Sequence, residues 1–164
     1  MADLVSERIA DTIVSRLQNI TTANGYSLDV ESVTRPNAKA NDWRPRHQCI
    51  VVQQGNTDRN PTLDCPGNPP AICYETTYNL YGFILPSDHA TTPVDEEVNT
   101  LESAMKRAVV DNSVHWVYMD GLSILAEFGS SQPYRSDEGD NQGLVLPLTV
   151  TYRVSELDPT EVRG

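Results

Sequence analysis

The chain lacks the cysteine patterns that usually mark a metal site or a disulfide-stabilised domain. Its three cysteines, Cys49, Cys65 and Cys73, form no Cys-x-x-Cys pair, so the common spacing of zinc ligands is missing. The odd number of cysteines disfavours a disulfide framework. The N-terminal residues also show neither the basic nor the apolar region of a secretion signal, and disulfides form mainly in secreted proteins. We therefore expect free thiols and no cofactor.

Long hydrophobic runs and an excess of basic charge are lacking as well. No apolar run approaches the ~20 residues of a membrane-spanning helix, so we expect synthesis in a cytoplasm and no membrane partner. The chain carries 12 Lys and Arg against 23 Asp and Glu, a net charge of −11. Because phosphate binding depends on clustered cations, broad binding to nucleic acid is disfavoured. The charges balance through Asn60, so later residues carry the whole excess, which indicates a surface that meets complementary neighbours or repels an anion.

The remaining chemical patterns have ordinary structural explanations. His47 and the three cysteines supply zinc ligand types, but Cys49 and Cys73 fall in predicted strands, where free cysteine is usually a small core residue. The acidic run at residues 137–141 lacks the EF-hand spacing for calcium and is typical of a solvated loop. The sequence contains neither Gly-x-Ser-x-Gly nor a phosphate-binding glycine loop. It therefore predicts no catalytic, metal-binding or cofactor-binding residue and no enzyme.

The N-terminal segment predicts a helix followed by a strand. Apolar residues recur every three or four positions, which places them on one side of a helix with ~3.6 residues per turn. These residues are Val5, Ile9, Ile13, Leu17 and Ile20. Gly25 suits a left-handed helix stop, and the alternation over residues 26–30 predicts a strand.

Periodicity, capping and turn residues predict the later elements. An apolar stripe from Val94 to Ala108, preceded by Thr92-Pro93, indicates a second helix. Asp120-Gly121 is typical of a hairpin turn. Strands are predicted at residues 49–53, 72–85, 116–119, 122–128 and 144–154. Pro147 lacks an amide hydrogen, so we expect the last strand to lie at a sheet edge or to begin nearby.

These elements indicate one domain over residues 1–164. The fold class is α+β, with a mostly antiparallel sheet and two main helices packed on one face. Long loops are predicted near residues 34–47, 55–71 and 129–143, with a short C-terminal tail at 155–164. The 55–71 loop, which contains four prolines, is too irregular for a helix or a strand.

The element order resembles that of tail terminator (tail completion) proteins of long-tailed bacteriophages, and that of related neck and tail-tube subunits. The resemblance extends from the first helix to Val154. Its opening consists of the first helix, the Asn24-Gly25-Tyr26 turn and a strand that leads to Arg35-Pro36. Its most specific parts are that turn and the Leu148–Tyr152 strand. The 55–71 loop looks like an insertion relative to a typical member.

The resemblance implies a structural virion protein that forms a hexameric ring, caps the tail tube and joins it to the head. The implied partners are other copies of the chain, the tail tube protein and a neck or head-completion protein, with DNA passing through without specific binding. Another neck or tail-completion subunit of the virion is the alternative within this class. From other classes, a small metal-dependent enzyme and a nucleic-acid-binding module remain alternatives.

Two sets of residues are candidates for a role in such a ring. A basic segment with a tryptophan is either a solvated loop or an arm that contacts the next subunit, because Arg and Trp are favoured interface anchors. It comprises Arg35, Lys39, Trp43, Arg44 and Arg46. Short polar side chains on the two longest strands either face the channel, since related tube subunits line their channels with sheet, or cover the second helix or a neighbour. They are Glu75, Thr77, Asn79, Thr149 and Thr151.

Overall fold

The computed structural model describes residues 3–36, 48–84, 92–110, 119–135 and 142–163. Within these ranges the chain forms two α-helices and six β-strands. The helices are α1 (Val5–Gln18) and α2 (Val94–Val110). The strands are β1 (Ser32–Thr34), β2 (Cys49–Arg59), β3 (Ala71–Ile84), β4 (Leu125–Phe128), β5 (Gln132–Arg135) and β6 (Gln142–Ser155).

The six strands form one sheet in which neighbouring strands are mostly antiparallel. Its order is β1-β2-β3-β6-β4, and β5 also pairs with β6. Only the short pair between β1 and β2 is parallel among the described strand pairs. Strands β3 and β6 pair over their whole length, from Ala71 opposite Ser155 to Ile84 opposite Gln142. The predicted α+β class is confirmed.

Both α-helices pack on the same face of the sheet, as predicted. Ile9, Ile13 and Leu17 of α1 are fully buried and lie in one core with Leu101 and Met105 of α2. The strands contribute the side chains that alternate toward this face, including Tyr78, Leu80, Leu146 and Leu148. Most of the buried apolar side chains lie on this helix-covered face. Since burying one aliphatic side chain stabilises the folded state by roughly 1.5–3 kcal/mol, this face supplies most of the hydrophobic stabilisation.

The segment after α1 differs from the predicted strand. The first helix ends at Gln18, before the stop predicted at Gly25. Gly25 does take the expected left-handed conformation, with φ of 81°, but it caps a separate turn of 3₁₀ helix, Thr22–Asn24. Residues 26–30 are not a strand, because their hydrogen bonds are local: the Val30 amide donates to the Ile20 carbonyl, and Asp29 accepts the Thr22 amide. The strand begins later, at β1, which also shortens the predicted 34–47 loop at its start.

The strand that begins at Cys49 is longer than predicted. It continues to Arg59, through the first residues of the predicted 55–71 loop, and its pairing with β3 shifts between Gln54 and Thr57. The sequence of its second half is polar on both faces, which hides a strand from a periodicity argument. The irregular segment is therefore residues 60–70, where Pro61–Leu63 form one turn of 3₁₀ helix.

Strand β6 lies inside the sheet, so the predicted edge position of Pro147 is wrong. β3 pairs with one side of β6, and β4 and β5 pair with the other. The Pro147 carbonyl accepts a hydrogen bond from the Gly129 amide at 2.8 Å, on the side of β4 and β5. A residue in a strand directs its N–H and C=O to the same side. The side of Pro147 that lacks an amide hydrogen therefore faces the gap between β4 and β5. The backbone hydrogen bonds between β6 and β3 are not affected.

The second helix and the last strand confirm their predictions, with bounds that differ by one or two residues. At Asp120-Gly121 both residues have positive φ, and the Leu122 amide donates to the Met119 carbonyl, so a turn is present. The predicted strands do not flank it directly, because Met119 belongs to one turn of 3₁₀ helix and the following strand, β4, begins only at Leu125. Residues 116–118 and the acidic run at 137–141 lie outside the described residues. None of the described helices combines the length and apolar character needed to cross a membrane.

The C-terminal segment folds back on the sheet. Val162 bridges to Val154, and the amide of Val5 at the start of α1 donates to the Pro159 carbonyl at 3.3 Å.

The predicted loop at residues 129–143 is not irregular throughout, because it contains strand β5.

Candidate functional site

The sheet face opposite α1 and α2, here called the outer face, carries the predicted channel residues. Cross-strand pairs bring them together: Glu75 lies opposite Thr151, and Thr77 lies opposite Thr149. The hydroxyl oxygens of Thr77 and Thr149 are 3.4 Å apart. Asn79 follows on the same face of β3, opposite Pro147. The structure therefore places all five predicted residues in one patch on two adjacent strands.

Exposure separates Thr151 from the other four residues of this patch. Glu75, Thr77, Asn79 and Thr149 are half-buried. Thr151 is only 3% exposed, and Leu125 of β4 lies directly opposite it. Thr151 therefore presents almost no surface of its own in the single chain.

Other polar residues, which the sequence pattern does not indicate, share the outer face. Cross-strand register places Gln53 opposite Asn79, Asp58 opposite Glu75, and Glu127 opposite Thr149. Their position depends on the full length of β2 and on the pairing of β4 with β6. Neither feature leaves a local sequence signal, so alternation within single strands could not reveal them.

The irregular segment 60–70 packs over one end of the outer face. The Asn60 side-chain amide donates to Glu75 at 2.7 Å, and the Arg153 Nε donates to the Leu63 carbonyl at 2.8 Å. Asp64 accepts the Cys73 amide and the Arg59 guanidinium, each at 2.7 Å. The backbone hydrogen bond first, and then the bond from Arg59, lower the pKa of Asp64.

The opposite end of the outer face is aromatic. The Phe83 ring meets the Tyr134 ring edge to face with centroids 5.2 Å apart, and it stacks with Tyr81 at 6.5 Å. Cys49 and Val51 of β2 belong to the same small cluster. The outer face thus changes from polar and partly acidic in its middle to aromatic at this end.

The cysteines, which are of zinc-ligand type but were expected to be structural, are spread along the sheet. Cys49 pairs with Phe83, ten residues along β3 from Cys73, which corresponds to about 33 Å of extended chain. All three cysteines are free thiols, and burial, the largest cause, raises the pKa of Cys73. No group of three metal-binding side chains occurs within the described ranges. His47 lies outside them.

The basic segment is described only at its first member. Arg35 binds two carboxylates of α1, Glu7 at 2.9 Å and Asp11 at 3.1 Å. Partial burial alone lowers the pKa of Arg35, but the hydrogen bonds and charges of the two acids outweigh it, so the net shift is upward. Lys39, Trp43, Arg44 and Arg46 lie outside the described residues. Arg35 therefore anchors the start of the segment to its own chain.

Comparison with known proteins does not assign this chain to a family. Its sequence matches no family model and no curated protein. The function proposed below therefore depends on the fold, on the outer face and on the sequence resemblance.

Proposed function

We propose that the protein is a tail terminator of a long-tailed bacteriophage, a structural subunit that closes into a ring at the end of the tail tube. In this role it joins the tube to the head or neck, carries out no catalysis and resides in the virion. The α+β fold with two helices on one face supports the proposal, because this is the architecture that the sequence resemblance implies.

The observation that carries the proposal is the composition of the outer face. Its middle holds short neutral or acidic side chains on adjacent strands, including Thr77, Thr149, Asn79 and Glu75. DNA that passes through a ring must not be held by its phosphates, and phosphate affinity comes from clustered Lys and Arg. A face of this composition suits the wall of a DNA channel.

Ring closure needs two different patches on each subunit that complement one another. The basic segment and the acidic remainder of the chain offer opposite charges for such a contact. Since Arg35 is engaged with α1 of its own chain, the later members of the segment are left as the proposed contacts with the next subunit.

Charge reversal in the basic segment tests this contact. We expect Arg44→Glu with Arg46→Glu to weaken ring formation by at least tenfold, because like charges then meet across the interface. Native mass spectrometry measures the assembly, and circular dichroism checks that the chain stays folded. The matched control is Arg163→Glu, since Arg163 pairs with Glu161 at the C-terminus. Rings that form equally well in the double variant would exclude the segment as the interface.

The decisive experiment for the function is binding to tail structures. Purified protein should add to the end of isolated tail tubes as a closed ring of about six copies, visible by negative-stain electron microscopy. Binding to the head-completion protein without binding to tubes would instead assign the chain to the alternative, another neck subunit. A protein that remains monomeric and binds neither structure would refute both assignments.

A further inference from the structure

Helix α2 is buried only in its second half. Its first buried residue is Leu101, and residues 94–100 are all exposed or half-buried. Of the two valines among them, only Val98 packs against the main core. Most helical stability in proteins comes from packing of an apolar face, so this first half receives little stabilisation from its own chain. It therefore offers a helix surface that a partner can cover.

Cavities lie on both sides of this half of α2. One of about 480 Å³ separates it from β5 and is lined by Val94, Asp95 and Pro133, among others. Another of about 280 Å³ separates it from the segment that follows α1 and is lined by Glu97 and Leu28, among others. Apolar and acidic residues thus line both cavities. Residues 94–100 together with these two cavities are called the α2 surface below.

The carboxylates of the α2 surface have no cationic partner among the described residues. Asp95, Glu96 and Glu97 form the first turn of the helix, and none of them belongs to an ion pair of the described ranges. Arg107 shares a cavity with Asp95 and Glu96, but it lies over the Tyr26 ring, 4.6 Å from its centroid. The helix dipole favours acidic residues at this end, yet their charges are not neutralised by a cation.

The flanking sequence does not supply that cation. Residues 85–91, which precede the helix, contain Asp88 and neither Lys nor Arg. Residues 136–141, which precede Gln142 of the larger cavity, contain three acidic residues and neither Lys nor Arg. A partner of the α2 surface must therefore bring positive charge from elsewhere.

The basic segment of this chain has the complementary composition. It combines Trp43 with Lys39, Arg44 and Arg46. Arg binds carboxylates through paired hydrogen bonds, and Trp and Arg in pockets supply much of the binding energy of protein interfaces.

The basic segment starts from the side of the sheet opposite to the larger cavity. Arg35, its first member, directly follows β1, which is one edge strand. The larger cavity is bordered by β5, which pairs with β6 toward the other side of the sheet. A head-to-tail contact needs two unlike surfaces on each subunit. With this arrangement, each subunit can give its segment to one neighbour and its α2 surface to the other.

We propose that the α2 surface is the docking site for the basic segment, residues 37–47, of a second copy of this chain. The guanidinium groups of Arg44 and Arg46 pair with the carboxylates of Asp95 and Glu96, and Trp43 enters the larger cavity. The inference rests on the ring closure of the proposed function, for which it names the receiving surface.

Exchange of charges between the two surfaces tests the contact. Asp95→Lys with Glu96→Lys, both at exposed positions, should weaken ring formation by at least tenfold, as Arg44→Glu with Arg46→Glu does, because like charges then meet. In an equal mixture of these two variants, every contact between unlike subunits is complementary again. We expect mixed rings that contain equal numbers of both variants, measured by native mass spectrometry. A folding defect in α2 could not be repaired by mixing.

The matched control is Asp3→Lys with Glu156→Lys, which makes the same change of charge at exposed positions away from α2. It should form rings alone and should not restore equal mixed rings with the Arg44→Glu, Arg46→Glu variant. Rings that form normally with Asp95→Lys and Glu96→Lys would overturn the inference, and their binding to tail tubes would leave the proposed function standing.

A chain that carries all four substitutions separates contact with a neighbour from contact within one chain. Rings of this chain without rings in the mixture would show that the segment covers its own α2, which overturns the inference. A wild type that stays monomeric in solution and on tail tubes would overturn it as well. Restored mixed rings that bind no tail tube would support the contact and refute the tail terminator function.

Discussion

At the scale of single residues, Asp64 organises the segment that covers one end of the outer face. Its carboxylate accepts the Cys73 amide and the Arg59 guanidinium, each at 2.7 Å. Nothing in the local sequence distinguishes Asp64 from Asp58, the other acidic residue of the 55–71 loop, because the partners of Asp64 are set by the pairing of β2 with β3. The sequence predicted an irregular loop at this point and could not predict how the loop is held.

The depressed pKa of Asp64 leads to a pH prediction. A carboxyl group with a lower pKa in the folded state stabilises the fold above its ordinary pKa of 3.8, and this stabilisation is lost as the pH falls through that value and below. We expect Asp64→Asn to lower the urea midpoint at pH 7 and to have a smaller effect near pH 2, because the stabilisation by the wild-type carboxylate declines as the pH falls below 3.8. Arg59→Gln should show a smaller pH-dependent effect, because it removes the lesser cause and leaves the backbone hydrogen bond. An equal loss at both pH values for Asp64→Asn would contradict this explanation.

At the scale of elements, the sequence predicted those whose apolar pattern is regular. The second helix, β3 and β6 are found within one or two residues of their expected bounds, whereas the first helix ends at Gln18, before the stop expected at Gly25. The second half of β2 was missed because its side chains are polar on both faces. Residues 26–30 were assigned to a strand because they alternate, but their backbone groups bond within a turn. Short segments of this kind depend on tertiary partners that periodicity does not report.

Two glycines of β3 and β6 leave no room for a side chain between the strands, which gives a prediction for this strand pair. A β-carbon added to Gly143 would overlap the Gly82 carbonyl oxygen, part of the β3 backbone. Gly143→Ala must therefore separate the strands and should destabilise the protein by about 1–3 kcal/mol in urea unfolding. The control is Gly129→Ala, whose β-carbon would lie 3.3 Å from the Pro147 side chain. This contact needs only a small adjustment, so the control should cost less, and equal losses would show that the close approach does not matter.

At the scale of the whole molecule, the sequence predicted the fold class and the side of the sheet that the helices cover. It also placed Glu75, Thr77 and Thr149 on a common face, because each strand alternates strictly. It could not predict that Thr151 is buried, since that depends on β4 pairing next to β6. The outer face is thus a product of the assembled sheet, and its acidic margin at Asp58 and Glu127 appears only when the strands are in register.

The proposed channel role of the outer face predicts how added cations should act. Thr77→Lys with Thr149→Lys puts two positive charges on half-buried positions in the middle of that face, where they would contact phosphates of passing DNA. We expect rings to form normally while DNA ejection from assembled virions slows, most strongly at low salt because the attraction is screened as salt rises. The control adds the same charge on the helix-covered side through Ser15→Lys with Gln18→Lys, both exposed, and should leave ejection unchanged. Equal ejection rates in both variants, with intact rings, would place the outer face away from the channel even if the protein is a tail terminator.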